Sequence, residues 1–194
     1  MGQTAVMDFD YRSSLSRRLG AVHSLYYDAC ATMNVENVNR VVMADVLPIA
    51  FSLVHQALIE DGSVVFLGGP MPQMSEIWAT RMGLAINDPG KEKSVAEMMH
   101  QRIGNFDAFL EFQGLVFRAT EEFVAGIEPS TFGDIIVTPP YGASIAQTFS
   151  ARVGGDHGIS RSDAIECWIY QHALRHLGEI EHARALVGLK GMTS

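Results

Sequence analysis

The chain has 194 residues, 47% hydrophobic and 19% charged, enough for one domain with a core of its own. Its 14 basic and 22 acidic side chains leave a net charge of −8. That balance argues against a nucleic-acid binder relying on phosphate neutralisation and against a peripheral protein of anionic membranes.

Four long segments carry helical periodicity. The first runs from about Ser13 to Met33, with Leu15, Leu19, Val22, Tyr26, Ala29 or Cys30, and Met33 on one face and Ser13 or Ser14 as its cap. Asn34, Asn37 and Asn39 then crowd a turn. The second runs from about Asp45 to Leu67, with Asp45 as N-cap, Pro48 in the first turn, and a stripe of Leu47, Phe51, Val54 and Leu58 that includes His55. Its apolar stretch, Val46 to Leu58, is interrupted by Pro48, Ser52, His55 and Gln56 and reads as too short and too broken to span a bilayer. Gly68-Gly69-Pro70 ends it.

Met71 to Lys93, with Pro72, Trp78, Pro89 and Gly90, reads as a long connection holding a short helix. Ser94 to Glu97 has the form of a capping box, and Gly104-Asn105 breaks or restarts the helix that follows. The third strong pattern then runs from Phe106 to Ile127 through Phe109, Phe112, Val116, Ala119 and Phe123. Thr131 to Arg161 is a second long connection, with a strand-like run at Asp134 to Thr138. The fourth helix runs from about Ser162 to Val187, with Ser160, Ser162 and Asp163 as candidate caps. Its stripe of Ile165, Ile169, His172, His176, Ile180, Ala183 and Val187 is the cleanest in the chain. The expectation is a single all-α domain over residues 1–194, a four-helix bundle with two elaborated crossovers.

The N-terminus lacks a charged region followed by an apolar core, and Val6 stands where myristoylation of Met1-Gly2 wants Ser or Thr. Cys30 and Cys167 read as small buried hydrophobes in a reducing compartment, so a cytoplasmic setting is expected.

The informative residues are His172 and His176. Four apart on a helix, they project from one face, one turn apart, on the stripe that should be core. His55 lies on the apolar stripe of another helix, flanked by Leu53, Val54, Ala57 and Leu58. Three imidazoles with open positions for water or substrate suit a divalent transition metal at a catalytic site. His182 is about 240° round the helix from His176 and faces away. His23, at the edge of the first stripe, reads as a core histidine before a distant ligand. His100 falls in the weak start of the third segment, and His157 in a Gly-rich loop. Glu179, close to His172 on the helical wheel, suits orienting a ligand imidazole or a bound water, or else a bundle-edge pair with Arg175 or Arg184.

A di-iron site needs two Glu-x-x-His pairs plus two more Glu. Glu97-x-x-His100 and Glu179-x-x-His182 both occur, but Glu97 is a capping residue, His182 is off the stripe, and Glu111, Glu121 and Glu122 lie off the Phe face of the third helix. Ala173 follows His172 where the zinc-protease motif needs Glu. No Gly-x-Ser-x-Gly, Walker loop or dinucleotide fingerprint occurs. Neither cysteine has the electropositive setting of a reactive thiol.

The run Tyr170-Gln171-His172-Ala173-Leu174-Arg175-His176-Leu177-Gly178-Glu179-Ile180-Glu181, with its trailing Ala185-Leu186-Val187-Gly188-Leu189-Lys190-Gly191, resembles the last helix of the DinB/YfiT-like family. His55 within Leu53-Val54-His55-Gln56-Ala57-Leu58 matches the family's single histidine on the second helix. The likeness spans the four helices and is poor across Met71–Lys93 and Thr131–Arg161. It implies an up-down-down-up four-helix bundle, often a homodimer, holding zinc, nickel or a similar ion on His55, His172 and His176. It also implies a metal-dependent enzyme acting on a small molecule, with a low-molecular-weight thiol as co-substrate in the manner of the family's thiol transferases and isomerases. The competing expectation is a bundle with a binding or stress role and no turnover, whose ten methionines fill a core or an adaptable pocket. Neither general acid nor general base is named by the sequence.

Overall fold

Helix starts in this chain are written locally, in short polar side chains placed just ahead of apolar runs. The computed structural model describes residues 10–191 and is mostly helical; Met1, Gly2 and Val6, read above for targeting, lie outside them. Helix α1 spans Tyr11–Cys30, with Asp10 at the N-cap position. Ser13, expected as the cap, instead sits in the first turn and donates to Asp10 Oδ2, so the helix starts earlier than its apolar stripe suggests. Met33 lies beyond the helix but is still buried.

The asparagine-rich turn forms a short helix, α2 (Val35–Val38), closed by a reciprocal capping box between Asn34 and Asn37. Asn39 acts as a clamp. Its amide donates to the Ile103 carbonyl at 2.8 Å and accepts from the Ile103 N–H at 2.9 Å.

Helix α3 spans Ile49–Phe66, with Pro48, not Asp45, at its N-cap. Asp45 has a φ of 62°, a left-handed turn residue three positions upstream, and Pro48 is extended at ψ 153°. The helix bond from Phe51 N–H to Pro48 O (2.9 Å) fixes the start. The helix runs past its apolar stretch, so by length and composition (18 residues, mean hydropathy 1.3) it is long and apolar enough to cross a membrane. Yet 78% of it is buried within the fold. A helix apolar nearly all round is what a central core position demands. Gly68, at φ 91°, ends it as expected.

The first long connection carries α4 (Glu76–Met82) and α5 (Val95–Met98), the latter started by the Ser94–Glu97 capping box. Helix α6 (Phe106–Gly126) restarts after Gly104 with Asn105 accepting from Ala108 N–H. Its buried face is rotated from the expected one. Phe109, Phe112, Val116 and Ile127 are in the core, but Ala119 and Phe123 are half-buried, while Gln113, Phe117, Thr120 and Val124 face inward.

The second long connection holds the expected strand, β1 (Ile135–Val137), paired antiparallel with β2 (Ile159–Ser160), and two short helices, α7 (Ala143–Ala146) and α8 (Phe149–Gly154). The final helical stretch begins as α9 (Arg161–Ala164), capped by Ser160 with Asp163. It widens into a π turn at Ile165–Tyr170 and continues as α10 (Gln171–Leu186).

Helix α3 packs on α10 and α6, and α1 packs on α6 and α10. Tyr26, Phe109, Phe112 and Phe117 are essentially fully buried between them. Tyr26 Oη donates to the Ala173 carbonyl at 2.8 Å, tying α1 to α10 without leaving its hydroxyl unpaired. Two buried or half-buried arginines close the ends of neighbouring helices, since neither α1 nor α3 has a basic residue in its last turn. Arg184 donates to Ala29 O, Thr32 Oγ1 and Lys190 O, and Arg161 donates to Leu67 O at 2.8 Å.

Candidate metal centre

His55 is carried by the middle of α3, and His172 and His176 by the first turns of α10, the helix most extensively packed on α3. The sequence-expected trio therefore converges. His172 Nε2 lies 3.2 Å from His55 Nε2 and 3.2 Å from His176 Nε2. The ligand atoms of all three lie within 4.8 Å of one another. His176 is buried and the other two are half-buried, so the cluster keeps a path to solvent.

The outward nitrogens explain the convergence. His55 Nδ1 lies 2.5 Å from the carbonyl of Pro89, which can only accept, so Nδ1 carries the proton. His176 Nδ1 lies 2.7 Å from Glu179 Oε2, which also receives Ser52 Oγ at 3.3 Å. The hydrogen bond from His176 holds the Glu179 carboxyl below its ordinary value, an anion that fixes the Nδ1–H tautomer. Burial pushes His55 down to about 4 and His172 down to about 2, and the neighbouring imidazoles add to it. A neutral ring whose single proton is at Nδ1 presents a bare lone pair at Nε2. His55 and His176 so turn their Nε2 lone pairs toward Nε2 of His172, 3.2 Å from each.

That spacing is what a metal wants. With Zn–N bonds of about 2.0–2.1 Å, the edge of a tetrahedron is about 3.3 Å. The donor set of three imidazole nitrogens, two of them anchored from behind, is one that can hold a metal ion.

No family model matches the chain. No curated protein matches it either. Among solved structures, it is similar to one described as a conserved protein from Enterococcus faecalis, with a TM-score of 0.72 at 16% identity, over 92% of this chain and 98% of that one. At that identity the likeness speaks to the fold alone.

The remaining expected residues fall into place around the trio. Glu179 turns to His176 and not to Arg184, which is buried and engaged with α1. His100, His157 and His182 are exposed, and Glu97 is spent on its capping box, so the di-iron arrangement does not assemble. Cys30 and Cys167 are free and buried, with burial pushing their thiols up to about 12 and about 11.

Sequence reasoning missed three things. The first is the Pro89 carbonyl, a backbone group with no side-chain signature. Gly90 makes it possible by bringing the loop against Phe51, where an added Cβ would meet the ring at 2.8 Å. The second is Ser52, behind Glu179. The third is a polar cluster inside the core. His23 stacks on Phe117 at 3.9 Å, bonds Glu121 Oε1 at 2.6 Å, and lies 3.1 Å from Glu60 Oε1 without alignment for a hydrogen bond. Gln56 donates to Glu60 at 2.6 Å, and both amide atoms of buried Gln113 are unpartnered. Burial alone would lower the His23 pKa, but the two carboxylates outweigh it and raise it. Ser52, Gln56 and Glu60, at four-residue steps on an apolar helix, were the available signal.

Proposed function

We propose that this chain is a metal-dependent enzyme of the DinB/YfiT-like kind, its four long helices forming an up-down-down-up bundle. In this reading His55, His172 and His176 hold a divalent ion, zinc or nickel. The observation that carries it is the approach of three imidazoles from two helices, with His172 Nε2 3.2 Å from Nε2 of each of the other two and His55 and His176 anchored through Nδ1.

Bound there, a divalent ion lowers the pKa of a water or thiol ligand and so supplies a nucleophile at neutral pH. The chain's own groups do the rest. Pro89 O fixes the His55 ring, and Glu179, steadied by Ser52, fixes His176. Their role is to keep the Nε2 lone pairs of His55 and His176 aimed at His172 before anything binds. The resemblance favours a small-molecule substrate and a low-molecular-weight thiol as the activated group over simple hydrolysis. It further suggests a cytoplasmic homodimer.

Elemental analysis of untagged protein from cells grown with zinc and nickel tests the reading. The expected result is about one ion per chain, falling to background in His55→Ala, His172→Ala and His176→Ala. Metal-free wild-type protein would remove the basis for catalysis. With metal present, conjugation of thiols to a panel of electrophiles separates turnover from mere binding.

A further inference from the structure

His55 and His176 are both steadied from behind, but by different groups. Behind His176 stands the Glu179 carboxylate, and behind His55 the main-chain carbonyl of Pro89. That carbonyl belongs to the peptide joining Pro89 to Gly90, and the other end of the same peptide is also held. Gly90 N–H donates to Asp88 Oδ1 at 2.7 Å. Asp88 Oδ2 lies 2.9 Å from Lys93 Nζ, and Lys93 N–H donates to the Gly90 carbonyl at 3.0 Å, which closes the loop. The Lys93 ammonium holds the Asp88 carboxyl below its ordinary value, so it stays an anion.

A trans peptide is planar, with its C=O and N–H pointing in opposite directions, so fixing one end aims the other. The local sequence permits two orientations of this one. Asp-Pro-Gly opens either a type I or a type II turn, and the middle peptide of one is turned over relative to the other. Gly90, at φ 75°, takes the conformation of the type II form. Turned over, the peptide would present its N–H to His55. A donor there would pair with a bare Nδ1 and send the ring's proton to Nε2, the atom that faces His172. The Asp88 acceptor engages the N–H on the side away from His55 and so disfavours that state. A hydrogen bond to the N–H also polarises the carbonyl and strengthens its hold on the imidazole.

We propose that Asp88 is a positioning residue for His55, acting through the Pro89–Gly90 peptide: its carboxylate keeps the carbonyl end on Nδ1 and the Nε2 lone pair free. A carboxylate then backs both anchored rings, directly at His176 and through one peptide unit at His55. For its effect on metal the proposal rests on the metal-centre reading above; for the ring's tautomer it does not.

The test compares wild type with Asp88→Ala, which removes the acceptor, and Asp88→Asn, which keeps an acceptor oxygen without the charge. Metal-free protein labelled with nitrogen-15 is read first by NMR of its imidazole nitrogens, with His55 assigned from the signals lost in His55→Ala. In the wild type the His55 proton is expected on Nδ1. In Asp88→Ala the Nδ1–H form should give way in part to the Nε2–H form, while His176 stays unchanged, and Asp88→Asn should keep the wild-type pattern. Zinc affinity, read by competition with a chromophoric chelator, should fall about fivefold in Asp88→Ala, less than the loss of a direct partner would cost, and stay within about twofold in Asp88→Asn. A residue that merely stiffens the loop would lower Tm and leave both the tautomer and the affinity where they are. Wild-type tautomer and affinity in Asp88→Ala, or an Asp88→Asn protein as impaired as Asp88→Ala, overturns the proposal while leaving the metal centre standing. A tautomer that shifts in Asp88→Ala, in a protein that takes up no zinc, overturns the metal centre alone.

Discussion

Replacing Gly90 by Ala tests whether the first long connection is a working part of the site. Gly90 has a φ of 75°, and an added Cβ would sit 2.8 Å from Phe51 Cε2 and 3.2 Å from its Cζ. The left-handed conformation costs a residue with a Cβ about 1–2 kcal/mol. Displacing the buried Phe51 ring adds about 1–2 kcal/mol, and the stiffer unfolded chain offsets about 0.5–1 kcal/mol. The net is about 2 kcal/mol, or a fall in Tm of about 4–8 °C for a domain of this size. The strain falls one residue from the carbonyl that holds His55 Nδ1, so zinc affinity should drop about tenfold, as when an outer anchor of a ligand is lost. Differential scanning calorimetry reads the first effect, and competition with a chromophoric chelator reads the second. Gly62→Ala is the control. It lies within α3 with nothing within 4 Å of an added Cβ, and Ala there should raise stability by about 0.5–1 kcal/mol with metal affinity unchanged. A Gly90→Ala protein with wild-type Tm and wild-type zinc affinity would refute the assignment of this loop to the site.

Three other outcomes follow from the same interior. His23 has a folded pKa above its ordinary value of 6.5, so its stabilisation is fully present below pH 6.5 and is lost as pH rises through the raised value; thermal melts should therefore fall on the alkaline side, and His23→Gln should flatten that fall. An unchanged pH profile in that variant would assign the slope to other groups. Gln113→Leu should leave stability unchanged or raise it by about 1–3 kcal/mol, because both amide atoms are buried without partners; a loss of stability would reveal a partner for that amide. Glu179→Gln should weaken zinc about tenfold while keeping the fold, and Ser52→Ala should do so to a smaller extent, both read by chelator competition. Equal affinity in wild type and Glu179→Gln would remove the carboxylate from the anchoring scheme.

The trio was legible because each histidine interrupts an otherwise apolar stripe, and a buried imidazole needs a reason. Capping signals are local, so the Ser94–Glu97 box and the Ser160–Asp163 start were legible as well. Asp45 misled because an acidic residue ahead of an apolar run fits both an N-cap and a left-handed turn, and only the backbone distinguishes them. The inward face of α6 was misjudged because Gln113 and Thr120, being polar, concealed a buried face that runs through Phe117 and Val124. On α3 the periodicity is faint because the helix is enclosed on nearly every side, so its polar residues, not its apolar ones, carry the positional information. The Pro89 carbonyl was beyond reach, since main-chain groups look alike in every sequence.

The wide turn at Ile165–Tyr170 has a consequence for how the last helix is used. An i→i+5 turn adds backbone between Ile165 and Gln171 without breaking the rod, so the two halves keep separate rotational phases. The lower half sets Ile165 and Ile169 against Leu15, Val64 and Val124, while the upper half is free to aim His172 and His176 at α3. Deleting one residue within the turn would return it to a regular spiral and swing the two imidazoles by about 100° relative to the packing below. Loss of metal with retained folding is the expected phenotype.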